Sequence, residues 1–272
     1  VPESPRWQIT HGCESEAECT VRAIEERVRA EEGRGLSEPD QAHRITLHPR
    51  AHFGFAIIVR AMFGLYWRRS LLGLALMVSQ AFLYNAIFFT YALVLTTFYA
   101  VPSADTGLYL LPFAAGNFVG VLMLGHYFDT VGRRQMIAAT YLASALLLML
   151  TGYLFVQEWL SATTLTLMWT AIFFFASPAA SAAYLTVSEI FPLETRALAI
   201  AVFYSVGTGI GGVAAPWLFG SLIATGSRLN VSYGYLFAAG LMIAAALVAL
   251  VYGIAAERRP LEHVAQPLSS AE

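Results

Sequence analysis

The chain has 272 residues, of which 57% are hydrophobic and 12% are charged, and its formal net charge is −2. This composition excludes an ordinary soluble globular protein and indicates a membrane protein with several spans. Because the net charge is small and no basic patch alternates with aromatic residues outside the membrane flanks, the sequence gives no sign of a nucleic-acid partner.

Residues 8–50 are polar, and residues 1–69 together predict a linker that carries amphipathic helices. Two prolines within residues 1–7 predict the exit of a helix, since proline interrupts a helix interior. Further on, Val21, Ile24 and Val28 recur at positions i, i+3 and i+7 and predict a helix on the protein surface. A helix that binds a partner protein is the alternative for this segment.

The sequence offers little support for metal binding or catalysis. Cys13 and Cys19 flank an acidic run close to His11, and a metal site on these residues is conceivable. Two thiols and one imidazole in a polar loop are more often incidental, so we predict no metal and no cofactor. No HExxH or phosphate-loop pattern occurs, and no glycine-flanked nucleophilic serine has a plausible histidine partner, so we predict no enzyme activity.

An amphipathic segment at residues 51–69 leads into the membrane. Six apolar runs follow it, and short loops connect them. Each run is long enough for a helix to cross the hydrocarbon core of a bilayer. The predicted spans cover residues 70–99, 107–128, 135–156, 162–187, 198–225 and 231–255. The chain therefore divides into a cytoplasmic linker with amphipathic helices (1–69), a six-helix transmembrane bundle (70–255) and a cytoplasmic tail (256–272).

A dense group of charges, here called the first motif, separates the second and third spans. Its spacing G-x3-D-x2-G-R-R is formed by Gly125, Asp129, Gly132, Arg133 and Arg134. Between two membrane spans such charges fit only a tight loop at the water interface, where Gly132 supplies the positive-φ freedom of a turn. We therefore expect Asp129 at the end of one helix and the arginines at the start of the next, within reach of a neighbouring loop.

The second motif lies between the fourth and fifth spans, at residues 188–197. Pro192 is expected to end the fourth span, with Glu189 just before that end and Arg196 at the start of the next span. Both motifs also fit a simpler role, in which charged side chains anchor helix ends at the membrane surface.

The arginines predict the orientation of the bundle. All sixteen basic residues are arginines, and with six spans only Arg228 falls on the side opposite to the two motifs and to both chain ends. By the positive-inside rule, the motif side is cytoplasmic. Arginine without lysine is typical of GC-rich bacterial genomes, so the predicted location is a bacterial inner membrane.

Neutral polar residues inside the first span predict one wall of a solute cavity. Gln80, Tyr84, Asn85, Phe88 and Tyr91 fall within an arc of roughly 140° at 100° per residue. The alternative is that Gln80 and Asn85 only tie helices together, through bonds of about 1 kcal/mol in a membrane.

The fourth span carries a second polar stripe, formed by Ser177, Ser181 and Tyr184 at i, i+4 and i+7. Pro178 can break the backbone ladder there and expose a carbonyl. We interpret the stripe as cavity lining, with hydrogen bonds between helices as the alternative. Asn117 on the second span is a further candidate for the cavity.

The fifth span carries Gly207, Gly211 and Ala215 at four-residue spacing. Small residues at this spacing let two helix backbones approach closely. They predict tight packing and bending of this span and no direct role in chemistry.

Three features together resemble the major facilitator superfamily: the segment PESPRW at residues 2–7 and the two motifs. In sugar-porter-like members this segment closes the sixth span, and the second motif is similar to the loop between the tenth and eleventh spans. The resemblance implies an all-α polytopic membrane protein with six transmembrane helices, the C-terminal bundle of a twelve-helix major facilitator fold. Such a bundle consists of two three-helix units of opposite topology.

The same resemblance implies function and partners. The expected function is transmembrane transport of a small polar organic solute by alternating access, coupled to an ion, in a lipid bilayer. The expected partner is an N-terminal six-helix half that this sequence lacks, and the complete protein is expected to be a monomer. A membrane receptor or sensor that does not transport, built on the same bundle, is the alternative.

The resemblance also assigns roles to residues. In the family, acids and arginines of the two loops pair across the cytoplasmic face when the transporter faces outward. The expected gate residues are Gly125, Asp129, Gly132, Arg133, Arg134, Glu189 and Arg196. Gln80 and Asn85 keep the five-residue offset of an element that contacts sugar hydroxyls in sugar porters. Phe89 and Thr90 stand where those porters carry paired tyrosines, so both a sugar and an organic acid are open as the solute.

Overall fold

The computed structural model of the chain describes residues 3–10, 12–32, 55–254 and 264–265. Within these ranges the regular structure is helical, with no β-strand, which confirms the predicted all-α class. In chain order the α-helices are α1 (Pro5–Thr10), α2 (Glu14–Glu32), α3 (Phe55–Arg60), α4 (Trp67–Phe88), α5 (Tyr91–Tyr99), α6 (Leu110–Thr130), α7 (Arg133–Val156), α8 (Ala162–Ile190), α9 (Leu193–Ala224) and α10 (Arg228–Tyr252).

Among the described residues, six helices are long and apolar enough to cross a membrane, namely α4 and α6 to α10. The six predicted spans are thereby confirmed, and the protein is a multi-pass membrane protein. Apart from the first span, the largest difference in bounds is at α9, which begins at Leu193 and not at residue 198. Pro192 directly precedes this start. The helix therefore begins before the apolar run, and Arg196 lies in its opening turn.

The first predicted span, residues 70–99, consists of two helices, α4 and α5, separated by Phe89 and Thr90. Neither proline nor glycine marks this break. Thr90 donates its hydroxyl to the carbonyl of Ala86, and its N–H bonds to the Ile87 carbonyl three residues back, at 3.2 Å. The three-residue spacing of the Thr90 N–H bond marks the point where the regular four-residue ladder of α4 stops.

The N-terminal part contains the predicted surface helix as α2, and Ile24 on its apolar stripe is 53% exposed. Of the two opening prolines, Pro5 begins α1, while residues 1 and 2, where the predicted helix exit begins, lie outside the described residues. Proline suits the first position of a helix, where its missing N–H would have no helical partner. His11, residues 33–54 and nearly all of the predicted tail lie outside the described residues.

The core of the bundle lies where α4, α7, α8 and α10 pack together, and α9 and α6 pack mainly against α4 and α8. The helices α6 and α9 are the least buried spans, with 17% and 22% of their apolar windows buried, against 44–56% for the other four. Both helices therefore present a broad face to the outside of this bundle.

Close packing of α9 on α4 depends on two glycines. A Cβ on Gly207 would lie 2.9 Å from the Met77 carbonyl, and one on Gly211 would lie 2.6 Å from the backbone of Ala81 and Phe82. Real side chains do not fit at such distances from a backbone. The predicted packing role of these glycines is confirmed.

A similar contact joins α6 to α8. A Cβ on Gly120 would overlap the carbonyl of Phe174. Pro178, four residues after Phe174, has no N–H to offer to that carbonyl. The carbonyl is therefore open to a weak Cα–H contact from Gly120, and the two backbones approach closely at this point.

Candidate functional site

The two motifs meet in one ion network at one end of the bundle, here called the motif end. α6 ends at Thr130 and α7 begins at Arg133, so the first motif forms the tight turn that was predicted. Gly132 adopts a φ of 116° in this turn, a conformation that L side chains rarely adopt. The turn fixes Arg133 at the start of α7 and directs it towards the end of α8.

Arg133 is the centre of the network. Its Nη1 donates to Oε2 of Glu189, near the end of α8, and its Nη2 lies 3.4 Å from Oδ1 of Asp129. The side chains of Arg133 and Glu189 are only 12% and 18% exposed, whereas that of Asp129 is 59% exposed. Because water screens exposed ion pairs, the Arg133–Glu189 pair dominates the electrostatics of the network.

The other predicted gate residues lie at the same end of the bundle. Arg134 donates to the Leu250 carbonyl near the end of α10, so it holds α7 to α10. Arg196 lies in the opening turn of α9 and is half-buried. Gly125 lies on α6, one turn before Asp129, and an added Cβ there would meet no atom within 4 Å.

A polar cluster lies within the spans, where α4, α6 and α8 approach one another. The Tyr84 hydroxyl donates to Oδ1 of Asn117 at 3.0 Å, and the Ser177 side chain interacts with the same hydroxyl. The Tyr84 ring packs edge-on against Phe173 with centroids 4.8 Å apart. Three of the predicted cavity residues, one from each of three helices, therefore lie close together. We call Tyr84, Asn117 and Ser177 the polar cluster.

Two other predicted cavity residues bond backbone carbonyls of their own helices and not the side chains of the polar cluster. Asn85 donates to Ala81 of its own helix at 2.6 Å, next to α9, and the Ser181 hydroxyl donates to the Ser177 carbonyl at 3.3 Å. Gln80 on α4 is half-buried.

Two of the predicted tyrosines make ring contacts with other helices. Tyr91 packs edge-on against Phe113, with centroids 5.7 Å apart. Tyr184 pairs with Tyr204 of α9, with centroids 5.9 Å apart. Tyr184 therefore lies at the junction of α8 and α9, while Tyr91 contributes to an aromatic core.

A cluster of aromatic rings around Arg228 lies at the end opposite to the motifs. It was not predicted, although Arg228 was predicted to be the single arginine on that side. The Arg228 guanidinium lies over the rings of Phe98, Tyr99 and Phe155, 4.8–5.4 Å from their centroids. It also donates to the Phe98 carbonyl at 3.1 Å and pairs with Glu158 at 3.3 Å. The cluster ties the end of α5 to α7 and α10, which holds the short helix in place beyond the break at Thr90.

No group of three or more His, Cys, Asp or Glu side chains is placed to hold a metal ion in the part of the chain that the structure describes. The arrangement offers ion pairing at the motif end and neutral hydrogen-bonding groups between the spans. Charged groups at one end and neutral polar groups between the spans suit a protein that binds a polar solute between its helices and closes one end through ion pairs.

Comparison with known families agrees with this geometry. Residues 1–268 match the family model described as "Sugar (and other) transporter". A search among curated proteins gives no match. The match covers both motifs, the polar cluster and all six spans. The chain therefore belongs to the sugar (and other) transporter family, whose members carry solutes across membranes, and its six-helix bundle is one half of a major facilitator fold.

Proposed function

We propose that this bundle moves a small polar organic solute by alternating access, with the Arg133–Glu189 pair as a cytoplasmic gate. The observation that carries the proposal is that this pair joins the loops of both motifs while being largely shielded from water. Separating a pair of this kind costs free energy as long as either charge stays shielded from water without its partner. It can therefore hold the motif end closed, and it must open for release of the solute on that side.

The polar cluster is the proposed solute contact in this half. Its hydroxyl and amide groups both donate and accept hydrogen bonds, which matches the hydroxyl groups of a sugar or polyol. The spans that carry Tyr84, Asn117 and Ser177 contain no acidic or basic side chain away from their ends. A carboxylate solute would find no cation among these groups, and burying an unpaired charge is costly. A neutral polyhydroxy solute therefore fits this half better than an organic acid does.

The proposed working unit includes a second, N-terminal half of six helices, in a monomer of the bacterial inner membrane. The broad outer faces of α6 and α9 offer the surface against which that half can move. Ion coupling would depend mainly on the N-terminal half, since ionisable groups that relay protons lie within the membrane. The acids between α4 and α10 lie at the ends of the spans or in the loops.

Tyr84→Phe tests the proposed solute contact. The substitution removes one hydroxyl and keeps the ring that packs on Phe173. We expect solute binding to weaken about threefold to tenfold, the effect of one lost hydrogen bond, with little loss of stability. The measurement is isothermal titration with the solute selected from a thermal-shift panel of hexoses, pentoses, aromatic acids and carboxylates. Tyr153→Phe, on an exposed part of α7, is the control. Unchanged affinity in Tyr84→Phe would make the polar cluster a contact between helices only.

The two natural cysteines test the proposed orientation. Cys13 and Cys19 are the only cysteines of the chain, and both are free thiols with Cys19 exposed. We expect a membrane-impermeant maleimide to label them only after the cells are permeabilised, because the linker is predicted to be cytoplasmic. The control is Trp159→Cys, made in a chain without the natural cysteines, because Trp159 is 69% exposed between α7 and α8. Labelling of Cys19 in intact cells, with Trp159→Cys protected, would reverse the orientation.

A further inference from the structure

A separate cavity lies at the motif end, between the start of α4 and the end of α10. Its volume is about 670 Å³, and it is lined by Leu65, Tyr66, Trp67, Arg68 and Arg69 on one side and by Val251, Tyr252, Gly253 and Ile254 on the other. None of these residues belongs to the ion network or to the polar cluster. The cavity is therefore distinct from the proposed gate and from the solute contact.

Two arginines give this cavity a positive charge that no described carboxylate neutralises. Arg69 donates to the carbonyls of Ile190 and Val264, both of which are neutral acceptors, and lies 4.8 Å from the ring centroid of Tyr66. Arg68 is exposed and lies 5.5 Å from the ring centroid of Trp67. Among the described residues neither arginine forms an ion pair. The two backbone bonds hold the Arg69 guanidinium in place, and the exposed Arg68 side chain can reach an anion.

The walls of the cavity are suited to the surface of a membrane. The rings of Trp67 and Tyr252 pack edge-on across it, with centroids 5.9 Å apart, and such amphipathic aromatics favour the headgroup level of a bilayer. Beside them, Leu65 is 70% exposed and Val251 is 67% exposed. An apolar rim next to two cations matches a ligand with a phosphate group and acyl chains.

We propose that this cavity binds the headgroup of an anionic phospholipid, with the phosphate at Arg68 and Arg69 and the acyl chains along Leu65 and Val251. Basic cavities between transmembrane helices are suited to such headgroups. A free phosphate ion would use the same two arginines but would gain nothing from the apolar rim. This difference favours the lipid as the occupant.

The test is a lipid titration of the purified full chain in a neutral detergent, followed by native mass spectrometry. We expect phosphatidylglycerol to be retained at a saturable site and phosphatidylcholine to be retained much more weakly. Arg68→Gln should weaken retention of phosphatidylglycerol about fivefold, the factor that one arginine contributes near an anionic surface. Arg68→Lys should preserve most of the retention, because the lysine keeps the charge.

Arg60→Gln is the matched control, since Arg60 lies on α3 outside the cavity and carries the same charge. We expect this variant to bind phosphatidylglycerol like the unmodified chain. Equal losses in Arg60→Gln and Arg68→Gln would overturn the site and leave only diffuse surface charge. Equal retention of phosphatidylcholine would overturn the anionic preference. Displacement of the lipid by inorganic phosphate at equal concentration would overturn the lipid as the ligand in favour of a free anion.

Discussion

Glu189→Gln should lower the rate of solute transport at least tenfold while leaving membrane insertion intact. The change removes the charge that faces Arg133, whose side chain is only 12% exposed, and leaves Asp129 at 3.4 Å as the other acid of the network. Loss of one partner from a largely buried ion pair costs about 3 kcal/mol. The closed state of the motif end should lose about that amount relative to the open state. The measurement is the initial rate of solute uptake into vesicles, normalised to the amount of inserted protein.

Asp129→Asn is the matched control for this prediction. Asp129 binds the same arginine, but its side chain is 59% exposed, and exposed ion pairs contribute about 0–1 kcal/mol. We expect a much smaller fall in uptake than in Glu189→Gln. The exchange of both charges, Arg133→Glu with Glu189→Arg, should restore part of the lost transport. Wild-type uptake in Glu189→Gln would remove the pair from the gate and leave it the role of an anchor at the helix ends.

Gly211→Val should prevent α9 from packing on α4 and destabilise the bundle by about 3 kcal/mol or more. The new Cβ would lie 2.6 Å from backbone atoms of Ala81 and Phe82, which cannot move aside as a flexible side chain can. The measurement is the yield of monodisperse protein in detergent, together with its thermal unfolding temperature.

Gly209→Val provides the control on the same helix. A Cβ at Gly209 would meet no atom within 4 Å, so the two substitutions share their cost in helix propensity and differ in packing. We expect Gly209→Val to keep most of the yield and stability. Similar unfolding temperatures for the two variants would show that α9 does not need its close approach to α4.

The spans, the tight turn at Gly132 and the charged helix ends could be predicted because each depends on residues that are close in sequence. Gly132 is one example, since a turn between two spans needs the φ of 116° that the structure shows. The break between α4 and α5 could not be predicted in this way. It has no proline or glycine, and threonines that make the same hydroxyl bond as Thr90, such as Thr140 and Thr186, lie within unbroken helices.

Contacts between helices that are far apart in the sequence could not be predicted either. Tyr84 and Asn117 are 33 residues apart, and their hydrogen bond depends on how α4 and α6 are placed in the bundle. The sequence suggested each residue as a cavity candidate but gave no sign that they meet. Arg228 is a similar case, because the rings that surround it come from two other helices.

Solute uptake into vesicles is the most direct measurement of the proposed transport. The 272-residue chain is compared alone and together with an N-terminal six-helix half, using the solute that binds best in the thermal-shift panel. We expect the chain alone to insert without transporting, and the two halves together to give saturable uptake that Glu189→Gln lowers. Solute binding by the two halves without any uptake would contradict transport and favour a receptor. Full uptake by the chain alone would contradict the need for a second half.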